Sequence, residues 1–433
     1  MTSDGRLRLI VSFRDAESAN QVRNLCTDGK CFRISSELPL VNGFTAEIEP
    51  QHVNHLLKAL PQGSQVAVDR GLDYSDPRVM FPNLPKGGPV KDSDTLDVST
   101  ALIGIQKVWD QGYTGKGQTI AVIDSGIHPH PDLKDKIVGW LDLTDGNSKP
   151  MDTFGHGTHV AGVAAGTGAK SAGTVKGVAP DADLVGVRIS SVAEAIKGIQ
   201  WVIENKDKYN ISVLNMSLGD FATKSHKDDP WSQAAQKAID AGLVVVVAAG
   251  NEGPSNGSVT TPGTNPNVIT VGALDDRKTM DRGDDTVAEF SSRGPTTIDG
   301  LIKPDLLAPG VSVFGPLAPG ATLDVPEVPH IGTDYFAISG TSMATPMVAG
   351  LAAILKQANP ELTHQQIKEI LVQTADHYLP DEPNVQGAGL LDASEALEVA
   401  LELAKSKPAS AAQPAEAAAK KQATPEGEGF LFA

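Results

Sequence analysis

The sequence predicts an α/β protein: an open, doubly wound, mostly parallel sheet, preceded by a small α+β domain. Two observations carry this prediction. From about residue 100 to 403, short runs that are apolar throughout alternate with helical segments, as expected of strands buried on both faces of a parallel sheet. Residues 6–72 follow a different order of strand and helix.

The apolar runs are TIAVID (119–124), ADLVGVRI (182–189), ISVLNMS (211–217), LVVVVAAG (243–250) and VITVGAL (268–274). In an open sheet of this kind, functional groups gather beyond the carboxyl ends of the strands. Asp124, Ser217 and Asn251 stand there and are polar. In the first 72 residues, RLRLIVSF, KCFRIS, VNGFTAEIE and SQVAVD read as strands, and DAESANQVRNL and PQHVNHLLKAL as helices. Their order, βαββαβ, is a split-βαβ, ferredoxin-like pattern.

Between them lies GLDYSDPRVMFPNLPKGGPVKDSDTLDVS, rich in Pro, Gly and Asp and without sustained periodicity, which reads as a linker open to proteolysis. The expected boundaries are 1–74 for the first domain, 75–99 for the linker, 100–404 for the large domain and 405–433 for a disordered Ala/Pro/Glu-rich tail.

The 433 residues carry a formal charge of -17, which argues against a nucleic-acid partner, since such a surface needs a positive field. The most apolar stretch, 241–250, has about half the length of a membrane span, so no membrane partner is expected. Arg8 and Arg14 bracket only LIVSF, too short an apolar run for a secretory leader. The chain is expected to be cytoplasmic, or secreted if a leader has been trimmed away. Its two cysteines, Cys26 and Cys31, read as free thiols or one local bridge.

Three segments hold what is needed to activate a hydroxyl: AVIDSGIHPHPDL (121–133), FGHGTHVAGVAAG (154–166) and SGTSMATPMVAG (339–350). A serine attacks a carbonyl only when a base takes its proton, and an imidazole does so when a carboxylate fixes its tautomer. A helix beginning at Ser342 would aim backbone N–H groups at a developing oxyanion. The Asn251 amide offers a second donor, and Gly250 leaves room for a substrate carbonyl. Pro346 is expected in the first turns of that helix, where its missing N–H costs little.

These segments resemble the subtilisin-type serine proteases, the subtilase family. IDSGI, HGTHVAG, AAGNEG and GTSMATP stand in the family's order, joined by FSSRGP (290–295) and KPDLLAPG (303–310). The likeness covers roughly residues 100–395. DDTVAEFSSRGPT, KPDLLAPGV and GAGLLDA, with no secretion signal, resemble the signal-less bacterial branch.

The resemblance implies that Ser342 is the nucleophile, His156 the general base and then acid, Asp124 the orienting carboxylate and Asn251 the oxyanion donor. Ser217, Leu218 and Gly219 would pair with an extended substrate. Thr260 would sit near the base of the pocket for the residue before the cut, making it shallow. The first domain resembles the family's propeptide, a chaperone and inhibitor, with self-cleavage expected between about residues 72 and 95. Implied partners are polypeptide substrates and the chain's own propeptide; a monomer is expected.

The chemistry requires no cofactor. Calcium is a candidate ion, but its ligands are not identifiable. The run 275–285, DDRKTMDRGDD, reads as a solvated loop or a carboxylate cluster for calcium. The asparagine-containing loop that holds calcium in secreted relatives is missing after HGTHVAG.

Several polar residues have alternative readings. His159 is read as packed rather than metal-binding, because HGTH lacks the glutamate and i,i+4 spacing of a zinc helix. His128 and His130 are expected at the surface or the substrate edge. Asp152 either caps the His156 helix or borders the cleft. VGVRISSVAEAIKGIQWVI passes from strand to helix without the usual Gly-rich wall of the substrate groove, so weaker recognition beyond the cut is expected.

Overall fold

A computed structural model describes residues 5–24, 32–72, 95–326 and 328–406. Cys26, Cys31, the linker through residue 94 and the tail from residue 407 therefore lie outside the described residues. In the first domain, β1 (Leu7–Ser12), β2 (Arg33–Leu38), β3 (Gly43–Ile48) and β4 (Gln65–Val68) form an antiparallel sheet in the order β2-β3-β1-β4. Helices Ala16–Asn24 and Val53–Ala59 complete the βαββαβ order.

Period-two alternation directs β1 to two cores. Leu9 and Val11 join Phe13, Phe32, Phe44 and Leu56 in the domain's own core. Ile10 packs with Leu38 and Val41 against the large domain's helices. The helix Leu96–Leu102 then occupies the end of the stretch expected to be linker, with Leu96 and Leu102 buried.

The large sheet contains β5 (Thr119–Asp124), β6 (Ile137–Asp142), β7 (Asp183–Arg188), β8 (Ile211–Met216), β9 (Val244–Ala248) and β10 (Ile269–Asp275) in the order β6-β7-β5-β8-β9-β10. The two-residue β11 (Thr286–Val287) is antiparallel to β10, and β12 (Leu306–Pro309) is parallel to it. A separate small sheet holds β13 (Val313–Pro316), β14 (His330–Ile331) and β15 (Tyr335–Ile338).

β5 is apolar on both faces because both are covered. Ile120 and Val122 pack with the helices His156–Ala165 and Thr341–Ala358. Ala121 and Ile123 pack with Val192–Tyr209 and Pro230–Asp240. The chain order reverses direction around β5, between β7 and β8. The loops leaving β5 and β8 therefore diverge, and a crevice opens at their carboxyl ends. Among the described residues, no helix is long and apolar enough to cross a membrane.

Sequence patterning missed β6, β12 and the small sheet. β6 is half-exposed and interrupted by Gly139, whereas β12 to β15 are two to four residues long and interspersed with Pro and Gly.

The helix His364–Gln373 is held to the sheet by its first residue. His364 Nδ1 accepts the Val245 N–H at 3.2 Å, and Nε2 donates to the Asn267 carbonyl at 2.6 Å. Burial pushes its pKa down to about 4, against the pull of that carbonyl. Between about pH 6.5 and 4 the unfolded chain therefore binds a proton that the folded chain refuses, and stability falls as the pH drops through this window. Urea unfolding at pH 7 and pH 5 should show His364→Gln losing less stability on acidification than the parent, by about 2 kcal/mol. Equal losses would show that His364 does not control this slope.

Candidate active site

The site begins with the last residue of β5. Asp124 is fully buried, and its Oδ1 accepts the Ser125 N–H and the His156 Nδ1–H, each at 2.7 Å. With the proton on Nδ1, Nε2 is the basic nitrogen of the imidazole. Burial disfavours the imidazolium, but the adjacent charge and hydrogen bond of Asp124, aided by Asp152, outweigh it and raise the His156 pKa above the ordinary histidine value.

His156 is placed by the helix it opens. Asp152 Oδ1 accepts from the Phe154 and Gly155 N–H groups and from Ser125 Oγ, while Oδ2 accepts from Thr158 N and Oγ1. Ser125 Oγ in turn accepts the Gly157 N–H at 2.9 Å. Asp152 thus satisfies first-turn donors that would otherwise lie buried and unpaired. Burial raises its pKa despite these bonds. Gly157 allows the helix to touch the strand end: a Cβ there would lie 2.1 Å from the Gly126 carbonyl and 2.9 Å from Asp124 Cβ.

Ser342 is the second residue of the helix Thr341–Ala358, and its Oγ donates to the Ser217 carbonyl at 2.8 Å. Asn251 Oδ1 accepts the Thr341 N–H at 2.9 Å and its hydroxyl at 3.0 Å. With the oxygen so held, the amide NH2 is the end left to donate. Pro346 falls in the first turns of this helix, as expected, but the expectation that its missing N–H costs little is corrected. It lies inside the helix as its sixth residue, so its missing N–H removes the bond that the Ser342 carbonyl would otherwise accept. The helix nevertheless continues to Ala358.

His156, Ser342 and Asn251 line one cavity of about 460 Å³, together with Ser217, Leu218, Gly219, Gly250 and Thr260. Asp124 stands behind His156. Thr260 fills the space left by two glycines. A Cβ on Gly219 would lie 2.3 Å from Thr260 Oγ1, and one on Gly250, where φ is 106°, would lie 2.7 Å from Thr260 Cγ2.

Arg70, Gly71 and Leu72 also line this cavity, which no sequence motif marks. Leu72 N–H donates to the Ser190 carbonyl at 2.8 Å, and Val192 N–H to the Arg70 carbonyl at 3.2 Å. The short link after β7 therefore pairs with the segment leaving the first domain although it lacks a Gly-rich insert. No local signal marks this contact, because it depends on how the two domains dock.

The neighbouring polar residues sort differently. His159 donates from Nε2 to the Val313 carbonyl at 2.9 Å and meets Phe336 edge-on at 5.2 Å. Burial pushes its pKa down to about 3. His130 is not at the surface or the substrate edge: it is 2% exposed, accepts the Asp132 N–H and packs on Tyr335. His128 is half-buried, and neither lines the cavity. In the run 275–285, Asp276 pairs with Lys278 at 3.0 Å and Asp285 accepts from Tyr378. Among the described residues, no group of three or more His, Cys, Asp or Glu could hold a metal ion.

A buried carboxylate–imidazole pair, a hydroxyl at a helix start and an amide donor on one cavity are the equipment of acyl transfer through a serine. Residues 115–392 match the Subtilase family. The chain is 38% identical to the serine protease AprX of Bacillus subtilis (strain 168), over 84% of this chain and 81% of that protein. It is 36% identical to subtilisin Savinase of Lederbergia lenta, over 66% of this chain and 93% of that one.

Two solved structures resemble the fold. Fervidolysin from Fervidobacterium pennivorans, a keratinolytic enzyme related to subtilisin, aligns with a TM-score of 0.67 at 24% identity. The match covers 92% of this chain but only 62% of fervidolysin, and at that identity it speaks for the fold alone. A cold adapted subtilisin-like serine proteinase aligns with a TM-score of 0.51 at 31% identity, covering 65% of this chain and 90% of that one. The chain belongs to the subtilase family. It is a subtilisin-like serine endopeptidase, and its substrates are polypeptides.

The close approach at Gly157 gives a direct test. Gly157→Ala forces backbone apart at the Asp124–His156 junction. It should cost about 1–3 kcal/mol of stability and lower kcat on a casein-derived peptide more than tenfold. Parental kcat in this variant would show that the junction tolerates displacement.

Proposed function

We propose that Asp124, His156 and Ser342 act as the enzyme's catalytic triad with Asn251 as oxyanion donor, and that the chain is made as a zymogen which cuts itself. The observation supporting the first part is the 2.7 Å bond from His156 Nδ1 to Asp124 Oδ1, on a cavity shared with Ser342 and Asn251.

In this reading a substrate carbonyl enters beside Gly250, and the Ser342 hydroxyl turns away from the Ser217 carbonyl. His156 Nε2 takes its proton as Oγ bonds to the carbonyl carbon. Asn251 and the backbone N–H groups at the start of the Ser342 helix hold the resulting oxyanion. The imidazolium then protonates the leaving amine, releasing the first product and leaving an acyl-enzyme. Water, deprotonated by the same imidazole, frees the second product. Ser217 to Gly219 and Ser190 to Val192 would flank the extended substrate, and Thr260 limits the size of the side chain admitted beneath it.

The zymogen reading is supported by Arg70–Leu72, which reach the same cavity from the first domain. Asp69 anchors that approach: it accepts the Ala193 N–H at 2.9 Å, at the positive end of a helix, and Arg8 Nε–H at 2.7 Å. The cut is expected within a few residues after Leu72, and the enzyme acts as a monomer.

Purification of Ser342→Ala should leave one full-length species, while the parent yields a shorter chain by mass spectrometry. The variant should also lose at least about 10⁴-fold in casein turnover. A variant cut as readily as the parent overturns self-processing, and retained turnover overturns the role of Ser342.

A further inference from the structure

The segment that enters the cavity also carries information about which side chains the groove prefers, an inference that rests on the function just proposed. Arg70–Leu72 lie antiparallel to Ser190–Val192, with Gly71 opposite Ser191. In extended backbone successive side chains alternate, so Arg70 and Leu72 project to one side while Gly71 leaves the other bare.

Arg70 Nη1 donates to Asp220 Oδ1 at 3.0 Å, and its Cζ lies 6.0 Å from the centroid of the Phe221 ring. Asp220 is also held by groups other than Arg70. Asp220 Oδ1 also accepts the Phe221 N–H at 2.8 Å, and the Asp220 backbone pairs in both directions with Thr261, at 3.0 and 2.8 Å. The Thr261 hydroxyl is in turn held by Asp229 at 2.8 Å. Phe221 is 60% exposed, an aromatic face left open at the cavity mouth.

Charge around the cavity points the same way. Among the described residues that line it, Arg70 is the only lysine or arginine, while Asp220 and Glu252 are acids. Docking of the first domain has other anchors: Asp69 with Ala193, Arg8 with Ser191, Gln65 with Asp228, and the apolar contacts of Ile10, Leu38 and Val41. Arg70 stands apart from these, inside the substrate cavity.

We propose that Asp220 and Phe221 form a specificity subsite for a basic side chain, arginine above lysine, at the substrate position that Arg70 occupies, two residues before that of Leu72. A guanidinium can donate to the carboxylate while lying over the ring, whereas an ammonium offers a strongly hydrated point charge. A glutamate at this position would face two acids.

The test uses the full chain as expressed, titrated for active sites with a serine-directed phosphonate. Internally quenched peptides spanning residues 66–77 of this sequence, with arginine, lysine, alanine or glutamate at the Arg70 position, are compared by kcat/KM. The arginine peptide should exceed the alanine peptide by about five- to tenfold, with lysine between them and glutamate lowest. The spread should narrow at 1 M salt, where exposed charges are screened. Asp220→Asn should bring the arginine-to-alanine ratio toward one, and Asp220→Lys should favour the glutamate peptide. Equal kcat/KM for all four peptides, or an arginine preference unchanged by Asp220→Asn, overturns the subsite alone. Cleavage that survives Ser342→Ala, or no phosphonate labelling, overturns the underlying function instead.

Discussion

The hydrogen bond from His156 Nδ1 to the Asp124 carboxylate is the contact on which the rest of the site depends. Both groups are buried, and taking a charge out of water is costly unless a partner compensates. Here the compensation is built from the same few residues that set the geometry. Ser125 donates to Asp124 through its backbone and to Asp152 through its side chain, while Asp152 holds the start of the His156 helix. Strand end, helix start and proton acceptor are thus one hydrogen-bonded unit, and displacing any part moves the imidazole. The outcome is visible in His156, whose pKa rises although burial alone would lower it.

The sheet explains why the other groups meet this pair. Order reversal around β5 opens a crevice at the carboxyl ends of β5 and β8. The Ser342 helix covers the same face of the sheet as the His156 helix. Thr341 connects it to the strand ends, because its N–H and hydroxyl hold Asn251 while its oxygen accepts the Gly250 N–H at 3.2 Å. The first domain rests on the opposite face, against the helices Val192–Tyr209 and Pro230–Asp240. A strand leaving that face passes the start of the Val192 helix and reaches the cavity edge at Leu72. Because that strand is tethered, its occupancy reflects effective concentration rather than intrinsic affinity.

Much of this was legible in the sequence because its signals are local. Strands buried on both faces read as unbroken apolar runs, and the helix start at Ser342 shows in its glycine and small residues. What stayed hidden depends on contacts distant in sequence. His130 looks like a surface loop residue between two prolines, yet Tyr335, 205 positions later, packs against its ring. β6 borders solvent and so lacks a continuous apolar run. Arg70 to Leu72 read only as the passage from the last strand into the linker, because their partners at Ser190 to Val192 and Asp220 belong to another domain. Pro346 does fall in the first turns of that helix, but far enough in that its missing N–H removes a helical hydrogen bond.

In the proposed mechanism Asp124 serves the reaction through His156 and in no other way. A double-mutant cycle on kcat/KM for one peptide substrate, comparing Asp124→Ala, His156→Ala and the pair, tests it most directly. Once His156 is alanine, removing Asp124 should change kcat/KM hardly at all, so that the double variant matches His156→Ala. If the two losses instead multiply, Asp124 acts independently of the imidazole and that mechanism fails.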